Sequence, residues 1–154
     1  MTLNNFTFNT TSGIRFGSGT SKSCSEEISQ KLGSNILFIT DKDLMSLKLT
    51  EPTLNELNKF SSKIEIFDDV EADPSLKTLL KAIEVGKKIN ASGVIGFGGG
   101  SSMDVAKLTS LILGSNEDIE EAWGVLNAKG PRLPLVLIPT TAGTGSEVTP
   151  ISII

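Results

Sequence analysis

The sequence predicts an α/β fold built on a doubly wound, mostly parallel sheet. Three observations carry that expectation. Short apolar runs at 36–39 (ILFI), 94–97 (VIGF) and 135–138 (LVLI) lack polar alternation, as strands buried on both faces do. Segments with helical periodicity separate them, so strand and helix alternate along the chain. Glycines and hydroxyl residues gather directly after these runs, where such sheets bind ligands.

The elements follow in order. Phe6 and Phe8, a Thr-Ser-Gly turn, then Ile14 and Phe16 before Gly17 alternate as a β-hairpin does. Residues 21–32 carry Ile28 and Leu32 at helical spacing and stop at Gly33, a suitable residue just past a helix end. The 36–39 strand runs into Thr40-Asp41. Residues 54–60 read as a helix and 64–67 as a strand. Asp73-Pro74 predicts the next helix start, with Asp73 as N-cap and Pro74 at the first helical position. Leu76, Leu79, Leu80 and Ile83 would be its buried face. The 94–97 strand leads into three glycines, and Ser101 opens a helix with inner residues Val105, Leu108, Thr109 and Ile112. The 135–138 strand ends at Pro139, and residues 151–154 begin a further apolar strand. No repeat or linker interrupts the chain, so one domain over 1–154 is the simplest organisation.

Composition narrows the function. The 154 residues are 38% hydrophobic and 21% charged, which suits a globular chain. A net charge of -4 disfavours a nucleic-acid partner, which calls for a basic face. Cys24 is the only cysteine, so no internal disulfide can form, and a reducing, cytoplasmic setting is expected. The N-terminus lacks a secretory pattern. Apolar runs stop far short of the roughly 20 residues of a membrane span, so no membrane partner is expected. Histidine is absent, which excludes a His-built metal site or triad within these residues.

Two loops carry chemistry. Gly98-Gly99-Gly100-Ser101-Ser102 joins a strand to a helix. Glycines let the backbone approach a ligand, and the helix start offers free N–H groups and a positive dipole end. That combination suits a phosphate or pyrophosphate. Ser101 and Asp104 fit a capping box, which would by itself explain Asp104. Lys107 fits a solvated surface lysine equally well. The common G-x-G-x-x-G pattern is not met, because Ser101 takes the third glycine position counted from Gly96. The acidic candidate Asp41 also precedes the glycines instead of following them. The second loop, Pro139 to Glu147, holds Thr140, Thr141, Thr144 and Ser146 with two glycines. Its hydroxyls can bond phosphate, ribose or an adenine edge, or satisfy their own turn.

Gly98 to Lys107 (GGGSSMDVAK) resembles the glycine motif of the iron-containing (group III) alcohol dehydrogenases, and Pro139 to Pro150 (PTTAGTGSEVTP) resembles their second signature. Phe16-Gly17, Thr40-Asp41, Phe67-Asp68 with Val70, and Gly130 to Pro134 fall in the family's order. The resemblance implies a Rossmann-like, dehydroquinate synthase-like N-terminal domain that binds a dinucleotide. It implies a C-terminal helical domain beyond Ile154, whose Asp and three His hold Fe²⁺ or sometimes Zn²⁺. The chain would then be cut off before its metal site, with no catalytic or metal-binding residue of its own, and inactive alone. Carried over by position, Gly98, Gly99, Gly100 and Ser101 would hold the pyrophosphate, and Asp104 belongs to the same cofactor-binding motif. Thr140, Thr141 and Thr144 would line the nucleotide site. Asp41 would meet the adenosine ribose, so NAD is expected ahead of NADP. Asp73 stands where many members have Asn. The full protein is expected to interconvert a small alcohol and its aldehyde or ketone, as a homo-oligomer. A glycerol dehydrogenase, a dehydroquinate synthase-like relative and a stand-alone nucleotide-binding module are the alternatives.

Overall fold

A computed structural model describes residues 10–61, 63–124 and 127–154. Helices α1 (Thr20–Ser23) and α2 (Ser25–Leu32) lead into β1 (Asn35–Ile39). Next come α3 (Lys42–Ser46), α4 (Glu51–Leu57), β2 (Lys63–Phe67), α5 (Leu76–Lys88) and β3 (Gly93–Gly98). Helix α6 (Gly100–Ser115) and β4 (Leu135–Pro139) complete the order. The strands form one parallel sheet in the order β2-β1-β3-β4. The expected α/β fold is therefore the observed one.

Side-chain alternation explains why the apolar runs show none in polarity. Leu37 and Ile39 of β1 and Val94 of β3 face Leu79, Ala82 and Ile83 of α5 and Val105, Ala106 and Ile112 of α6. Ile36 and Phe38 of β1 and Ile95 and Phe97 of β3 face the opposite way, against α2 and α4. Both faces of β1 and β3 are thus covered, and every position must be apolar. The Phe38 and Phe97 rings stack with centroids 5.6 Å apart.

The strand order sets the site. From β1 the chain steps to β2 on one side, then crosses back over β1 to reach β3 on the other. Loops leaving β1 and β3 therefore diverge at their C-terminal ends and leave a crevice between them, the usual ligand position in open α/β sheets.

Several expectations need correction. Phe6 and Phe8 lie outside the described residues, and the other half of the expected hairpin is not a strand. Among the described residues, Ile14 and Phe16 are exposed and lie in no strand. The 21–32 helix is two helices broken at Cys24, though Gly33 does follow with φ 83°. Asp73 is not a helix cap: it takes φ 52°, and Ser75 caps α5 by accepting from the Thr78 N–H. Asp73 lies in the left-handed region, whereas Ser75 has the extended backbone that an N-cap needs at φ -83°, ψ 159°. Residues 151–154 form no strand. Among the described residues, no helix is long and apolar enough to cross a membrane.

The buried stripe of α5 also differs. It is Thr78, Leu79, Ala82, Ile83 and Gly86, while Leu76 and Leu80 are exposed. Small residues win here because α6 packs close: a Cβ on Gly86 would lie 2.5 Å from Leu113 Cδ1. Leu79→Ala should cost about 2–5 kcal/mol, since Leu79 is fully buried and the cavity cannot refill. Leu80→Ala should stay within about 0.5 kcal/mol. Urea unfolding of both variants checks the assignment; equal losses would contradict it.

Candidate functional site

The crevice at the ends of β1 and β3 is a cleft of about 550 Å³. Its walls are residues 41–44 after β1, 68–72 after β2, 99–102 after β3, and Thr140 and Thr141 after β4. Loops distant in sequence converge here because parallel strands all end on the same side of the sheet.

The glycine loop forms one wall. Gly98 has φ 151°, and a Cβ there would meet Ser102 Oγ at 2.7 Å. Glycine is required by both backbone and space. Gly99 is different: it is extended at φ -77°, ψ -172°, and caps α6. A Cβ on Gly99 would find its nearest neighbour, Thr141 Oγ1, at 3.6 Å. Helix α6 begins at Gly100, one residue before the expected Ser101. Its start has no side-chain cap bond and no acidic residue in the first turn. The positive end of a 16-residue helix is therefore left open to an anion beside the cleft.

The capping box expected of Ser101 and Asp104 is not made. Asp104 lies inside the protein, where its Oδ1 is 2.8 Å from Lys107 Nζ. Lys107 is not a solvated lysine; it is 7% exposed. Asp104 is not among the cleft-lining residues, unlike Gly99, Gly100, Ser101, Thr140, Thr141 and Asp41. Gly98 shapes the loop from behind. Thr144 sits against the start of α6, its Cγ2 3.5 Å from where a Gly100 Cβ would be.

The opposite wall is acidic. Asp41 accepts from the Leu44 N–H at 2.9 Å and caps α3, a short helix the periodicity did not predict. Local capping and a place on the cleft therefore coexist in one residue. Asp69 faces Lys42 and Lys81. The hydrogen bond from Lys42 holds the Asp69 carboxyl below its ordinary value, and raises that of Lys42.

Glu71, missed from sequence, is the most constrained acid on this wall. Thr78 Oγ1 donates to its carboxylate at 2.6 Å, and the Ser75 N–H and hydroxyl donate at 3.1 and 3.0 Å. These donors, Thr78 first, lower its pKa to about 2. The donors sit four and seven residues ahead across a non-helical turn, so no sequence periodicity marked them. A depressed carboxyl adds stability above its unfolded value that is lost as pH falls through the folded one. Glu71→Gln should thus be less stable than the unaltered chain at neutral pH, with the gap closing between about pH 4.5 and 2. Thermal melts across that range check it; a pH-independent gap would contradict it.

The model of the iron-containing alcohol dehydrogenases matches residues 11–154. The chain belongs to that family. This iron-containing alcohol dehydrogenase chain is 32% identical over 149 residues to the sulfoacetaldehyde reductase of Bilophila wadsworthia, covering 97% of this chain and 38% of that protein. Its backbone resembles an alcohol dehydrogenase from Oenococcus oeni with TM-score 0.87 and 31% identity, over 94% of this chain and 38% of that one. It also resembles sulfoacetaldehyde reductase from Bifidobacterium kashiwanohense in complex with NAD+, with TM-score 0.73 and 28% identity, over 88% and 36%. The chain thus spans less than two fifths of the length of each of these relatives.

Proposed function

We propose that this chain binds NAD(H) in the β1–β3 crevice and is the cofactor-binding part of an alcohol dehydrogenase. The whole protein would interconvert a small alcohol and its aldehyde or ketone. One observation carries the reading: the uncapped, acid-free start of α6 opens beside a cleft whose far wall bears Asp41. A dinucleotide needs an anion site for its pyrophosphate and acceptors for its ribose hydroxyls. Gly99, Gly100 and Ser101 would hold the first, Asp41 would take the second, and Thr140 and Thr141 would flank the nucleotide. The relative with NAD+ bound has the same fold and supports this assignment.

When bound, the dinucleotide gives or takes the hydride. This chain's residues bind and orient it. The family's iron is a different matter. The chain has no His, and among the described residues no group of three or more His, Cys, Asp or Glu could hold a metal ion. The described residues do not fit a metal. The metal and the alcohol site are proposed for the part of the whole protein that this chain does not span. Titration of the 154-residue chain with NAD+ and NADH by calorimetry tests the reading. Saturable binding that Gly99→Val weakens is expected; no heat of binding at millimolar dinucleotide would overturn it.

A further inference from the structure

The threonine-rich loop is anchored at both ends. At its start, the Thr140 N–H donates to Gly98 O at 2.9 Å and extends the pairing of β3 with β4. At its end, the backbone after the loop lies over the first two turns of α6. Lys107 Nζ donates to Thr149 O at 3.4 Å and to Ile151 O, and the Ile153 N–H donates to Asp104 Oδ2 at 3.0 Å. Between the anchors, among the described residues, the loop's hydrogen bonds stay within itself: Val148 and Thr149 N–H to Gly145 O, and Ser146 N–H to Thr144 Oγ1.

Lys107 Nζ donates to Thr149 O and Ile151 O and is ion-paired with Asp104 Oδ1 at 2.8 Å. Asp104 sets Oδ1 in an ion pair against Lys107 and accepts the Ile153 N–H with Oδ2. The two side chains are 6% and 7% exposed. Buried ion pairs of this kind contribute little net stability compared with apolar residues of similar size. The bonds to the 149–153 backbone are directional, however, and Asp104 Oδ1, buried with the Lys107 ammonium as its ionic partner but no hydrogen bond, adds a penalty for any arrangement that pulls the two apart. The same helix carries the glycine loop at its first residue, where Thr144 and Ser146 pack beside Gly100.

We propose that the buried Asp104–Lys107 pair is a positioning device: it clamps segment 149–153 to α6 and so holds the threonine-rich loop against the glycine loop. The pair touches no cleft surface and acts through the loop it holds. Its effect on cofactor affinity rests on the nucleotide-binding reading above; the clamp itself does not.

The test separates positioning from stability. In the 154-residue chain, Asp104→Leu/Lys107→Met replaces the pair with apolar residues. Ile153→Pro, at an exposed side chain, removes the N–H that Asp104 accepts and leaves the pair itself in place. Amide hydrogen exchange is followed over residues 140–153, together with thermal unfolding and the Kd for NAD+. Exchange in 140–153 should rise by about tenfold or more in both variants, with protection of β1 and β3 unchanged. The Kd should rise by about tenfold while the melting temperature moves by only a few degrees. Unchanged exchange over 140–153 in both variants would overturn the clamp, as would a rise spread evenly over the sheet. If the unaltered chain binds no NAD+, the nucleotide reading falls, and the exchange data still decide the clamp.

Discussion

Gly99→Val is expected to weaken NAD(H) binding by about tenfold or more while leaving the fold nearly intact. The reason lies in the difference between adjacent glycines. Gly99 has an extended backbone that valine adopts freely, and a Cβ there would make ordinary contact with Thr141, 3.6 Å from its Oγ1, without a clash. The new side chain would therefore fill cleft space without disturbing the core. The cost should be confined to helix capping, where valine is worse than glycine by about 1 kcal/mol. That corresponds to about 2–4 °C in a chain of this size. A loss of 1.4 kcal/mol in binding is already tenfold in Kd. Gly98→Ala should behave oppositely. Its φ of 151° and the 2.7 Å approach to Ser102 Oγ make the folded state pay before any ligand arrives. Calorimetric Kd values beside melting curves separate the two. A Gly99→Val chain with unaltered Kd would mean the loop is only a turn.

The second large effect concerns NAD against NADP. Asp41→Asn should raise affinity for NADP+ relative to NAD+ by about tenfold. A carboxylate accepts ribose hydroxyls and repels a 2′-phosphate. At ~5 Å and an effective dielectric of ~20 one charge pair repels by about 3 kcal/mol. Screening at an open cleft leaves about half, which is tenfold. Asparagine keeps the oxygen that accepts from the Leu44 N–H, so α3 stays capped and the charge alone is tested. Asp41→Gly would remove charge and cap together and cost some stability as well. Asp43, Asp68, Asp69 and Glu71 share this wall, so discrimination should be reduced and not abolished. Parallel titrations with NAD+ and NADP+ give the ratio. A ratio unmoved by Asp41→Asn would restrict Asp41 to its capping role.

Local signals were strong where local physics dominates. The runs at 36–39, 94–97 and 135–138 are strands within one residue of their expected bounds; burial on both faces explains the first two, whereas 135–138 is a half-buried edge strand and not the doubly buried one expected. Gly98 to Gly100, which close β3 and open α6, marked the helix start and the cleft together, since Gly98 and Gly99 serve backbone geometry and ligand access in one turn. Bulk misled at α5, where Leu76 and Leu80 were expected inside. The buried face runs instead through Thr78, Leu79, Ala82, Ile83 and Gly86, and at Gly86 α6 lies too close for any side chain. A local rule also misled at Asp104, whose spacing from Ser101 fits a capping box.

By itself the sequence determined the alternation of strand and helix, the two loops, and the family to which they point. All of these depend on residues a few positions apart. Only the tertiary structure decided that β3 lies beside β1, that Asp41 faces the glycine loop, and that Asp104 pairs with Lys107 beneath residues 149–153. Those outcomes depend on contacts between segments tens of residues apart, and on which side chain can be buried only with its partner. Periodicity reports the face a residue prefers; the packed neighbours decide what waits on that face.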